Sequence, residues 1–214
     1  LQETTDNPVN EAALIGSLIF ILAVIAAPFG LMSAAFMSTD GIIDILSRLW
    51  ALLAVSFIFL EMMTGSFRPL LRRTFGFFRM RRVHIFFGIV GLAFALLHLG
   101  FLIPRLGVDF STLNKALFIF GPVMLGVLII TVATALLAVR RGLLTASWGW
   151  LHLLTYVIFG MAVAHGLIIG SEGTALATRV VFGIFLAFVL AGFLYRARFH
   201  DWRKRFRFSP KSAR

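Results

Sequence analysis

Four histidines carry the chemistry that this sequence allows. His84 and His98 stand 14 positions apart in the apolar run RRVHIFFGIVGLAFALLHLGFLIP, and His152 and His165 stand 13 apart in WGWLHLLTYVIFGMAVAHGLIIG. At ~1.5 Å rise per residue, each pair spans roughly 20 Å of helix axis. That length divides a bilayer core of ~30 Å into an upper and a lower level. Two helices that each present one imidazole at each level supply the axial ligands of two stacked metal centres, and two six-coordinate haems suit that ligand set. A lone histidine in an apolar helix is ordinarily a hydrogen-bonded packing residue. Here all four intramembrane histidines fall into matched pairs and the fifth, His200, lies in a basic tail, so the default for ionisable groups in a bilayer, which is function, applies.

The elements that must position these residues are membrane helices. The 214-residue chain is 60% hydrophobic with a mean hydropathy of +0.97, beyond the ~45–50% apolar content of soluble domains. This predicts an all-α membrane protein, a bundle of about six transmembrane helices. The expected spans are about Ala12 to Met37, Arg48 to Phe67, Val83 to Pro104, Lys115 to Val139, Trp148 to Gly170 and Arg179 to Tyr195. Residues 1–11 read as a polar, acidic lead, 12–196 as the membrane domain, and 197–214 as a basic tail. The first residue is Leu1 rather than Met, which reads as a processed or trimmed product. The first apolar run is too long for a signal-peptide core and lacks a basic leader. Pro28 and Gly30 predict a kink within it.

Charge placement predicts the orientation. Lys and Arg number 20 against 9 Asp and Glu, a balance that in a soluble protein would raise nucleic acid as a partner; in a membrane protein, position matters more than the sum. Six arginines, Arg68, Arg72, Arg73, Arg79, Arg81 and Arg82, crowd one predicted loop broken by Pro69 and Gly76. With Arg140, Arg141 and the eight basic residues from Arg196 onward they make sixteen on one side, against Arg48, Arg105, Lys115 and Arg179 on the other. The positive-inside rule places the sixteen, and with six spans both termini, in the cytoplasm. The third and fifth spans then run parallel. Matching depths pair His84 with His152 on the inner side and His98 with His165 on the outer side.

Other residues admit more than one reading. Glu61, near the far end of span two, reads as reaching water or the arginines beyond, ahead of a role as a buried proton or propionate partner. Gly88, Gly91, Gly160, Ala164 and Gly166 leave room for a flat macrocycle or for close helix packing. At ~100° per residue, 14 positions return to within about 40° of one face, whereas 13 fall about 140° away. Span five therefore tightens or bends near Gly160, or its two histidines meet different sides of the helix. Cysteine is absent, which excludes thiolate zinc, iron–sulfur and disulfide chemistry in this chain. No dinucleotide or phosphate loop is present. The tail, with Phe199, Trp202, Phe206 and Phe208 among its basic residues, suits an anionic headgroup layer and reads first as a positive-inside anchor.

The 14-then-13 histidine spacing on two spans, preceded by an arginine-rich stretch, resembles the ferric reductase-like transmembrane domain. This is the haem-bearing core of NADPH oxidases, ferric reductases and the membrane subunit of the bacterial methionine sulfoxide reductase system. The resemblance covers the chain from its first span to Tyr195. It implies two haems b, an inner one held by His84 and His152 and an outer one held by His98 and His165, with Arg48 near the outer haem. Oxygen-reducing members commonly carry a further histidine one turn beyond the outer ligand of span three. That position is Leu102 here, which implies slow direct reduction of oxygen.

The expected function is a relay of electrons from a cytoplasmic flavoprotein or quinol to an extracytoplasmic acceptor or partner reductase, in a bacterial inner membrane. The 19 residues after span six are too few for a flavin domain, so the donor is expected on another molecule. Two other readings belong to the same class of fold: an accessory haem-binding subunit of a larger respiratory or photosynthetic complex, and a superoxide-producing or ferric reductase core lacking its flavin domain. A proton-relay transporter fits less well, because Glu61 is the one clearly intramembrane carboxylate.

Overall fold

The structure is a computed structural model that describes residues 11–33, 41–75, 77–106, 115–141, 146–170 and 175–199. These residues form α1 (Glu11–Leu31), α2 (Ile42–Ser66), the short α3 (Arg68–Phe75), α4 (Phe77–Leu106), α5 (Lys115–Arg141), α6 (Ala146–Ile168) and α7 (Leu176–Phe199). There is no strand among them. In α1, α2, α4, α5 and α7 there are segments of 18 to 25 residues long and apolar enough to cross a membrane. In α6 the described apolar segment is Leu153–Ile168, within a helix of 23 residues that at ~1.5 Å per residue is about 34 Å long. This is an integral membrane protein.

The burial pattern is that of a protein dissolved in lipid. Helix α2 lies at the centre, with Leu49, Leu52, Leu53, Phe57, Ile58, Phe59 and Leu60 all buried. These residues cover every side of the helix, as expected when neighbours surround it. The helices around it turn large apolar side chains outward, among them Ile15 and Leu22 of α1, Ile89 and Ile103 of α4, Ile130 of α5 and Leu190 of α7. Such a surface is untenable in water but suits hydrocarbon. Phe59, fully buried, joins four helices. Its ring stacks on Phe185 of α7 at 4.1 Å and meets Phe20 of α1 at 6.1 Å and Phe159 of α6 at 6.3 Å.

Helix α2 packs most extensively along α4, and α5 packs along α6. Glycines allow the first contact. A methyl group on Gly91 would lie 2.9 Å from Ile58 Cγ1 and 3.2 Å from the Ile58 backbone nitrogen, and one on Gly88 would lie 3.4 Å from Glu61 Cγ. Gly166 similarly admits the ring of Phe182, 3.1 Å from a methyl at that position. Thus Gly88, Gly91 and Gly166 serve helix packing, whereas Gly160 faces open space and Ala164 is exposed. Some hydroxyls in the apolar helices are satisfied by the preceding turn: Ser17 donates to the Ala13 carbonyl at 2.8 Å and Thr131 to that of Val127 at 2.8 Å.

Several boundaries differ from expectation. Helix α2 begins at Ile42, so Arg48 lies inside the helix rather than at its start. The arginine-rich stretch is helical, not a loop: Arg68–Phe75 is α3, and Arg79, Arg81 and Arg82 lie in the first turns of α4. Pro69 is tolerated because it falls in the first turn of α3, where its missing N–H has no intrahelical acceptor, and arginine is a good helix former. Helix α1 contains the buried Pro28, as expected of a span that tolerates an internal proline. The expected extension of span one to Met37 lies outside the described residues.

Candidate functional site

Helix α4 presents His84 and His98 to α2. Nδ1 of His98 lies 2.9 Å from the Ser47 carbonyl oxygen and 3.2 Å from the Ser47 hydroxyl. Nδ1 of His84 lies 3.0 Å from the Glu61 carbonyl oxygen and 3.3 Å from the Thr64 hydroxyl. A carbonyl oxygen can only accept, so each Nδ1 carries the proton and donates it. The lone pair needed by a metal is then on Nε2, the arrangement seen where a ligating histidine is oriented by a backbone carbonyl. Fit is close around His84: a methyl on Gly65 would come within 3.1 Å of its Cε1.

The two rings differ on the Nε2 side. At His84, Nε2 lies 3.2 Å from Glu61 Oε1, and the Glu61 side chain is 11% exposed. Glu61 is therefore a buried partner of a candidate ligand, where the sequence favours a carboxylate reaching water or the arginines beyond. The reason is register: antiparallel packing brings α2 beside α4 with Glu61 level with His84, and an inward carboxylate there finds a donor at once. Nε2 of His84 is thus engaged by the Glu61 carboxylate, and a metal held at this nitrogen would have to displace that contact.

The other candidates sit on different neighbours. His165, half-buried on α6, faces α5, where a methyl on Gly121 would lie 3.7 Å from its Cε1. The side chain of His152 lies outside the described residues; its backbone is in α6, one turn before Tyr156, whose hydroxyl is 2.6 Å from that of Ser66 on α2. Arg48 pairs with Asp44 one turn earlier in α2 and adjoins Ser47, which places it at the level of His98. Helix α6 is unbroken through Gly160, so positions 152 and 165 fall on different sides of it, about 140° apart.

Among the described residues, α4 and α6 do not pack extensively against each other, and no three His, Asp or Glu side chains gather to hold a bare ion. A haem brings four nitrogens of its own and needs only two imidazoles. His98, with Nδ1 oriented and Nε2 available, fits such a ligand role. His84 fits it once the Glu61 carboxylate turns aside. Ser47 and Thr64 were not singled out from sequence, although a signal was present: Ser47 and Glu61 repeat on span two the 14-residue spacing of His84 and His98.

The fold and site thus define an all-helical integral membrane protein with two histidines of α4 oriented, 14 positions apart, against the buried helix α2. The chain matches no family model, no curated protein and no solved structure.

Proposed function

We propose that this protein is a di-haem b electron-transfer subunit of the ferric reductase-like kind. The observation that supports it most is the common orientation of His84 and His98, each donating Nδ1–H to an α2 carbonyl from positions 14 residues apart on α4. On this reading His84 and His152 hold the inner haem, His98 and His165 hold the outer one, and Arg48 lies beside the outer one. A haem b held by two imidazoles supplies a one-electron couple and leaves no iron position for substrate. The chain's own residues orient the rings, exclude water and keep the helices in register.

The basic ends of α3, α4 and α7 face the cytoplasm of a bacterial inner membrane. They form a positive surface suited to an acidic flavoprotein donor, with quinol as the other source of electrons. The acceptor or partner reductase lies on the opposite side. Pyridine haemochrome quantitation of the purified protein should give about two haems b per chain, with a six-coordinate low-spin reduced-minus-oxidised spectrum. His98→Ala and His84→Ala should each remove one. A folded, detergent-stable sample with no haem after reconstitution refutes the proposal.

A further inference from the structure

The register of α2 against α4 gives two hydroxyls a task. We infer that Ser47 and Thr64 are positioning residues, Ser47 for His98 and Thr64 for His84, each holding its imidazole as the Nδ1–H tautomer and setting the basicity of Nε2. The redox part of this inference rests on the di-haem reading; the tautomer part does not.

The two oxygens of Ser47, carbonyl and hydroxyl, fork the same N–H of His98 at 2.9 and 3.2 Å. The inner site achieves the same fork with two residues, the Glu61 carbonyl at 3.0 Å and the Thr64 hydroxyl at 3.3 Å. The single hydrogen of Thr64 is committed to the backbone, 2.8 Å from the Glu61 carbonyl and 3.0 Å from that of Leu60. With that hydrogen on the backbone its oxygen accepts from His84, in keeping with the protonated Nδ1 that the Glu61 carbonyl requires. No side-chain substitution removes the carbonyl acceptors, and the hydroxyls are the adjustable half of each fork. An acceptor on Nδ1–H raises electron density at Nε2, which favours the oxidised state of a bound metal.

The test uses Ser47→Ala and Thr64→Val, with Ser47→Thr and Thr64→Ser as the conservative pair and cysteine at either position should the first variants not fold. In 15N-histidine spectra of the dithionite-reduced protein, in which six-coordinate low-spin iron is diamagnetic, the rings of His84 and His98 should both be Nδ1–H. Ser47→Ala should move only the His98 resonances and Thr64→Val only those of His84. In redox titration each should raise the midpoint potential of one haem, lowering its oxidised-to-reduced ratio at fixed potential about three- to tenfold, and the conservative variants should restore it. Rings that ignore both substitutions, or two haems that shift together with either one, overturn the inference. A protein without haem whose rings still respond one by one refutes the di-haem reading and leaves the positioning roles standing.

Discussion

His84 engages one residue of α2 with both ring nitrogens, the Glu61 carbonyl at Nδ1 and the Glu61 carboxylate at Nε2. Among the described residues, the contacts of the His98 ring are at Nδ1, to Ser47. The inner and outer positions are thus chemically unequal even though the sequence spaces them evenly. If iron binds Nε2 of His84, the carboxylate loses its imidazole in a buried setting, and a charge so placed costs free energy. Glu61→Gln removes the charge while keeping the shape. It should tighten binding of the inner haem about tenfold, equivalent to ~1.4 kcal/mol, and leave the outer one unchanged. Haem titration of the His98→Ala background, with and without Glu61→Gln, measures this directly. Weaker binding in the glutamine variant would instead assign the carboxylate a supporting role.

At the level of elements, α2 and α4 form the unit on which both sites depend. Ser47 meets His98 and Glu61 meets His84 because the helices run antiparallel in constant register, and Gly91 lies between these contacts against the Ile58 backbone. A side chain at Gly91 must push the helices apart. Gly91→Leu should therefore destabilise the protein by about 1–3 kcal/mol, lower its melting temperature in detergent and disturb both histidine sites together. Gly126 of α5, where a methyl meets nothing within 4 Å, is the control; Gly126→Ala should be neutral or slightly stabilising, since alanine is favoured over glycine in a helix by about 1 kcal/mol. Equal gain in both variants would show that helical propensity, not the α2–α4 contact, governs stability.

For the whole molecule, the number of crossings decides the relation of the two termini. If α6 crosses with the other five, both ends lie on one side. The chain contains no cysteine, so single substitutions give clean reporters. Gln2→Cys and Ser209→Cys should be labelled by a membrane-impermeant maleimide only when the cytoplasmic face is open, and Ser171→Cys, between α6 and α7, only from the opposite face. Labelling of positions 2 and 209 from opposite faces would mean that α6 does not cross, which would also overturn the pairing of His152 with His84 by depth.

Much of this was legible in the sequence, because a bilayer demands long apolar helices with internal hydrogen bonding and tolerates little else. Runs such as ALLAVSFIFL and GIVGLAFALL declare themselves on that ground alone. The 14-residue spacing also set His84 and His98 near one face of α4, since it is close to a whole number of helical turns. Which neighbour covers that face was not legible: in lipid every helix is apolar outside, so hydropathy does not distinguish α2 from α6 as the partner. The tertiary structure alone decided that the rings donate to α2 carbonyls and that Gly88 and Gly91 serve packing. It alone turned Glu61 inward to His84, because a carboxylate near a helix end goes wherever the adjoining helix offers a donor, and that depends on register between segments distant in the chain.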